Sequence, residues 1–204
     1  MWVIKLGGSL LGSQELRHWL RLVAQYGDGR VVIVPGGGVF ADVVRNVYQQ
    51  TPMTETCAHA LAVSAMNQFG TLLIDQEPRL VPAHSELEIA ERSWQHRGIV
   101  WMPSKMVMTD GDDIPHSWDV TSDSLALWLA KKLSAEHLIL VKSTPPPRNN
   151  SLEAMMAQGL IDLAFSQFGA GSQVKSWVVD KGDHTAFSHG FQAESLEQVG
   201  QLLT

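Results

Sequence analysis

Two lysines stand where the side chain is costly to place. Lys5 closes the apolar run "WVIKL", and Lys142 closes "LILVK". An ammonium at the end of a buried strand needs an anionic partner. Otherwise it snorkels from the sheet rim with its head in water. Gly7, Gly8 and Ser9 follow the first lysine, and Gly36, Gly37 and Gly38 follow a second apolar run, "RVVIVP". Glycine lets backbone N–H groups approach a ligand with no Cβ in the way. A helix beginning just beyond adds its N-terminal dipole, so each loop reads either as a tight turn or as a seat for phosphate. The stretch "DVTSD" puts Asp119 and Asp123 at the start of a helix. A carboxylate there can cap the helix, complement its dipole, or hold a lysine ammonium in place. Ammoniums, N–H groups and an orienting carboxylate are the parts that phosphoryl transfer requires. Its loose transition state carries dispersed negative charge, and positioning and electrostatics supply most of the catalysis. Mg²⁺ on a nucleotide needs few protein ligands, because phosphates and water provide most of its shell.

Two phosphate-binding signatures bear on this reading. No G-x-x-x-x-G-K-[ST] occurs, so a Walker-type loop is absent. Gly36, Gly38 and Ala41 fit G-x-G-x-x-A after a strand, and Glu55 lies nineteen residues beyond Gly36. That spacing suits the acid that meets a dinucleotide ribose, so an NAD(P)-dependent oxidoreductase stays open. Against it, Glu55 is expected to begin a helix, and Lys5 is left without a role.

The elements that must position these residues alternate in type. "WVIKL", "RVVIVP", "GIVWMP", "HLILVKS" and "SWVVD" read as strands, mostly apolar throughout as in a sheet covered on both faces. Ser13 fits an N-cap with Glu15 in the first turn, and Leu16, Leu20 and Val23 recur at helical spacing until Gly27 and Gly29. "GGGVFADVVRNVYQQ" passes from loop to helix, and "TETCAHALAVSAMNQFG" is a long helix ending at Gly70. "SELE", from Ser85 to Glu88, reads as a capping box. "KMVMTDGDDIPHS" reads as a polar-tipped excursion, and "TSDSLALWLAKKL" as an amphipathic helix capped by Thr121 or Ser122. "TPPPRNNS" reads as a rigid exposed loop, a helical region runs to about Phe168, and "QLLT" is a closing edge strand. This order predicts an α/β fold, a three-layer αβα sandwich with a mainly parallel central sheet. Ligands in such folds sit at the carboxyl ends of the strands.

The chain has 204 residues, enough for one substantial domain over 1–204 and too few for two comfortable ones. A net charge of −6 argues against nucleic-acid or membrane surfaces as partners, yet allows a local pocket for a small anion. Cys57 is the single cysteine, which excludes an internal disulfide and disfavours a cysteine-based metal cluster, so no protein metal site is expected. No basic leader with an apolar core precedes the first strand, and no apolar run approaches the roughly 18 residues of a membrane span, so the expectation is a cytoplasmic protein.

Four stretches in order, "KLGGS", "VPGGG", "TSDSLALWLAKKLSAEHLILVKST" and "GLIDLAFSQF", resemble the amino acid kinase superfamily. This superfamily spans aspartate, acetylglutamate, glutamate, carbamate, isopentenyl phosphate and uridylate kinases. The uridylate-like branch is most similar, with its "H…MN" helix at His59 to Met66-Asn67. Within that branch the whole chain resembles the small kinases of methanofuran biosynthesis, which phosphorylate an aminomethyl-furanmethanol phosphate. The resemblance implies an ATP- and Mg²⁺-dependent kinase and at least a homodimer, with uridylate, isopentenyl phosphate or an amino acid as alternative acceptors.

The resemblance also implies roles for particular residues. Gly7, Gly8 and Ser9 cradle the ATP phosphates, Lys5 neutralises the transferred group, and Lys142 with Ser143 lies along the ATP phosphates. Gly36, Gly37 and Gly38 hold the acceptor, with Asp119 and Thr121 beside it. Asp123 orients lysines or contacts the acceptor. Asp162 organises the catalytic lysine or caps a helix. His59 and Asn67 line the acceptor pocket or pack the core. Where many relatives carry an acidic "VDG" loop after the strand lysine, this chain has "PPPRNN", so adenine and ribose contacts are not assigned. The chain is shorter than most relatives, with no room expected for a regulatory module. A binding protein that stores or senses nucleotide without turnover is a further alternative.

Overall fold

The computed structural model describes residues 1–146 and 151–203. Half of the proline loop after Lys142, residues 147–150, lies outside the described residues, as does Thr204. The chain opens with β1 (Trp2–Leu6), α1 (Gln14–Tyr26), β2 (Val31–Pro35), α2 (Gly38–Gln50) and α3 (Glu55–Gln76). It continues with β3 (Leu80–Ala83), α4 (Glu86–Trp94), β4 (Gly98–Trp101), α5 (Ser104–Asp110), α6 (Ser122–Lys132) and β5 (His137–Lys142). It closes with α7 (Leu152–Ala157), α8 (Phe165–Gly169), β6 (Lys175–Asp180), α9 (Ala193–Val199) and β7 (Gln201–Leu202). The strands form one sheet in the order β3-β4-β2-β1-β5-β6-β7, parallel except for β7 against β6. This is the expected α/β sandwich, with β1 at its centre.

Side-chain alternation sorts the centre of the sheet into two faces. Val3, Val34, Leu138 and Leu140 pack with Leu125, Ala126 and Leu129 of α6. Ile4, Leu6, Ile33 and Ile139 pack with Leu16, Trp19, Leu20 and Val23 of α1. Lys5 pairs in register with Leu140, and Lys142 is two residues beyond Leu140. Both lysines therefore fall on the α6 face, at the carboxyl end of the sheet.

Local chemistry accounts for several helix starts. The Ser13 hydroxyl accepts from Leu16 N at 3.1 Å and opens α1. Thr54 accepts from Cys57 N at 3.2 Å and opens α3. Ser85 accepts from Glu88 N, but the Glu88 carboxylate accepts from His84 N at 2.8 Å, so the expected capping box closes one residue early.

Four expectations need correction. Strand β3 went unread because it is four residues long and carries Pro82, and proline in a strand is confined to edges, where β3 lies. Helix α3 runs through Gly70 to Gln76. A Cβ at Gly70 would lie 2.9 Å from Met102 Sδ and 3.4 Å from Pro35 and Val100, so this glycine provides closeness to the sheet rather than a stop. Part of the "KMVMTDGDD" excursion is helix α5. Helix α6 is buried all round from Ser122 to Ala130 rather than amphipathic, because α8 covers the side away from the sheet. Helix α3 alone among the described residues has the length and apolar content to cross a membrane; Ala58, Val63, Met66, Phe69 and Leu73 on it are buried in protein.

Candidate functional site

Asp123, in the first turn of α6, points at both strand lysines. Its Oδ1 is 2.9 Å from Lys5 Nζ, and its Oδ2 accepts a hydrogen bond from Lys142 Nζ at 2.7 Å. All three residues are buried. Burial pushes the Asp123 carboxyl up, but the two ammoniums outweigh it and hold its pKa at about 2. Burial drives the Lys142 ammonium down, the Asp123 charge opposes this, and Lys5 adds to the lowering. Two ammoniums share one carboxylate, and among the described residues no second carboxylate lies in ion-pair distance of either. The trio carries one excess positive charge in a buried place.

Asp162 sets where Asp123 stands. It precedes α8 and reaches the N-terminus of α6, where its carboxylate accepts from Thr121 N at 3.0 Å, from Ser124 N at 2.9 Å and from the Thr121 hydroxyl. Two of the N–H groups at the start of α6 are thus satisfied from outside the helix. Thr121 occupies the N-cap position but makes no side-chain cap, which corrects the reading of Thr121 or Ser122 as the capping side chain. Burial raises the Asp162 pKa, the Asp123 charge adds to this, and the hydrogen bonds from Thr121 and Ser124 oppose it.

The two glycine loops leave adjacent parallel strands and touch. Gly36 N donates to Leu6 O at 2.8 Å, extending the β1–β2 ladder one step. A Cβ on Gly8 would stand 2.0 Å from Gly38 Cα, so only glycine permits this approach, and Gly38 itself has φ of +55°. A Cβ on Gly7 would lie 3.1 Å from Lys5 Nζ, closing the space over that ammonium.

These loops form one wall of a pocket of about 380 Å³, bounded also by α2, α3 and the segment from Trp118 to Ser122. Gly8, Ser9, Gly36, Gly37, Gly38, His59 and Thr121 line it. The ring of His59 stacks on His116 with centroids 4.8 Å apart, and burial, with the His116 charge, lowers its pKa. Asn67 and Asp119 do not line the pocket. The Asn67 side-chain oxygen accepts from Ser104 N at 3.2 Å and secures the start of α5, while Asp119 O accepts from Ala164 N at 3.3 Å. Ser143 follows Lys142 beyond the end of β5.

Asp42, Arg45 and Trp118 also line the pocket and were not read as site residues. Arg45 donates to Asp42 Oδ1 at 2.6 Å and lies 5.6 Å from the centre of the Trp118 ring. The signal was present as a D-x-x-R pair one turn past the glycines, but the tryptophan comes from a distant loop. The acid needed for a dinucleotide ribose is not at a strand end: Glu55 is the first residue of α3.

The arrangement is that of the amino acid kinase fold. Residues 1–77 match the model of the amino acid kinase family. It is 32% identical over 142 residues to the [5-(aminomethyl)furan-3-yl]methyl phosphate kinase of Methanocaldococcus jannaschii, a match covering 69% of this chain and 64% of that protein. The match thus spans less than two thirds of that relative's length. Among solved structures, the uridylate kinase of Archaeoglobus fulgidus superposes with a TM-score of 0.62 at 20% identity, over 87% of this chain and 89% of the other. An isopentenyl phosphate kinase substrate complex superposes with a TM-score of 0.62 at 10% identity, over the full length of both chains.

Proposed function

We propose that the chain is an ATP-dependent kinase that transfers the γ-phosphoryl group to a small phosphate-bearing acceptor, [5-(aminomethyl)furan-3-yl]methyl phosphate. The observation that carries this reading is the sharing of Asp123 by Lys5 and Lys142. Their excess positive charge calls for an anion, and the glycine loops beside it offer backbone N–H groups. The same geometry supports a choice among acceptors. A carboxylate with a pKa of about 2, engaged by two ammoniums, is too weak a base to take a proton from an alcohol. A phosphate monoester, with a second pKa of about 6, brings an oxygen that is already ionised near neutral pH.

In this mechanism Gly7, Gly8 and Ser9 hold the donor phosphates, with Lys142 and Ser143 alongside. Lys5 neutralises charge on the transferred group. An acceptor oxygen forms the new P–O bond while the bond to the bridging oxygen breaks and its electron pair leaves with ADP. Asp123 fixes both ammoniums in place, and Asp162 positions Asp123 by holding the start of α6. The acceptor lies against Gly36 to Gly38, His59 and Thr121. The described residues contain no group of three or more His, Cys, Asp or Glu side chains able to hold a metal ion. That suits Mg²⁺ carried on the nucleotide phosphates, where it would neutralise charge. Exposed Val39, Val43 and Val47 along α2 support assembly with a second copy of the chain.

The test is ADP release with ATP·Mg²⁺ and the aminomethylfuran phosphate, run beside UMP and isopentenyl phosphate. The furan phosphate is expected to give the highest kcat/KM and a diphosphate product. Absence of acceptor-dependent ADP with every phosphate acceptor overturns the reading, and a preference for UMP or isopentenyl phosphate replaces the substrate.

A further inference from the structure

The pocket has a second polar end that phosphoryl transfer itself does not use. Among its lining residues Asp42 is the one carboxylate and Arg45 the one guanidinium. Asp42 is four residues beyond Gly38 on α2. Residues i and i+4 share a helix face, so Asp42 stands above the glycine loop by one turn, about 6 Å of rise. An acceptor with its phosphate at the glycines therefore presents its other end to Asp42.

Asp42 and Arg45 are not equally free to receive that end. Arg45 is held twice, by Asp42 Oδ1 at 2.6 Å and by the face of Trp118 at 5.6 Å. Trp118 also packs edge-on against Tyr48, with centroids 5.6 Å apart. Asp42 Oδ2 has no protein partner among the described residues. An incoming anion would have to draw Arg45 away from both contacts, whereas an incoming cation meets an oriented carboxylate with an acceptor oxygen available. The rest of the lining includes the apolar Ala62, Val63 and Met66 and the Trp118 ring.

We infer that Asp42 determines acceptor specificity. It accepts a hydrogen bond from a primary ammonium at the end of the acceptor remote from its phosphate, and Trp118 covers the planar ring between them. Arg45 is a positioning residue that aims the carboxylate. The inference rests on the kinase reading above, and it assigns the amine of the acceptor a partner on this chain.

The experiment compares two acceptors, [5-(aminomethyl)furan-3-yl]methyl phosphate and the analogue carrying a methyl group in place of aminomethyl. The readout is the ratio of their kcat/KM values, for the wild type and for Asp42→Asn. A hydrogen bond to a charged partner corresponds to about tenfold to a hundredfold, and the ratio is expected to fall by that much in the variant. A ratio within threefold of the wild type overturns the inference while leaving the kinase reading in place, even if both rates drop together. Better use of an analogue bearing a carboxylate at that position also overturns it, in favour of Arg45. If the wild type phosphorylates none of these acceptors, the kinase reading fails and the inference goes with it.

Discussion

At the carboxyl ends of β1 and β5, Lys5, Asp123 and Lys142 lie buried with contacts of 2.9 and 2.7 Å. One turn into α2, Asp42 and Arg45 make an equally short pair at 2.6 Å, with side chains 64% and 48% exposed. The distances are alike and the energetics are not. In the first place each charge has lost water and depends on its neighbours, so removing one member leaves the others uncompensated. In the second, solvent screens the pair and its contribution to folding is small. The buried trio is therefore part of the fold as well as of the proposed chemistry, while the rim pair is free of any comparable structural duty.

Substitutions can break this contrast in order of severity. Asp123→Ala should lower stability by about 3–5 kcal/mol, because two buried ammoniums lose their partner, and activity should fall on the order of a thousandfold. Urea denaturation and ADP release measure the two losses, and a variant as stable as the wild type would show that the trio is not electrostatically closed. Gly8→Ala should reduce kcat about a hundredfold, since a Cβ placed 2.0 Å from Gly38 Cα forces the loops apart and misplaces both substrates. Trp118→Ala should raise the acceptor KM about tenfold with the ATP KM little changed, through loss of stacking area. Equal effects on both KM values would remove Trp118 from the acceptor end.

The smallest expected effect distinguishes two carboxylates by pH. The folded-state pKa of Asp123 is depressed to about 2, so its contribution to stability is present above the unfolded value of about 3.9 and lost as pH falls towards 2. Asp162 has the opposite sign. Its pKa is raised, so its contribution is present below the unfolded value and lost as pH rises through its folded value. Asp162→Asn should therefore gain stability relative to the wild type as pH rises above 4. Thermal unfolding across pH 3 to 7 reads the difference, and a variant that loses stability relative to the wild type as pH rises would reverse the assignment.

The buried end of the site was also the end legible in the sequence. Lys5 and Lys142 announce themselves because an ammonium closing an apolar strand needs an explanation, and strand alternation puts them on one face. Asp123 follows from its place in the first turn of α6. The pocket beside it was only partly legible. His59 and the second glycine loop were read, but the Asp42, Arg45 and Trp118 group joins α2 to a loop more than seventy residues away. Asn67 was left open between pocket and core for a related reason: its side chain turns to α5, a helix not read from the sequence. In the fold, β3 was hidden by Pro82, and Gly70 suggested a helix end where the structure uses it for close packing.

One turn of helix serves both halves of the site. Thr121, Ser122 and Leu125 face the pocket, while Asp123 between them faces the lysines, and Asp162 holds the turn. In the proposed mechanism, a shift of this turn on acceptor binding moves the counter-ion of the lysines assigned to the donor. The two substrates would then be thermodynamically linked, and whatever factor the acceptor applies to ATP affinity, ATP must apply to the acceptor. Binding isotherms for each ligand, taken with and without an unreactive analogue of the other, would give that factor as one coupling free energy.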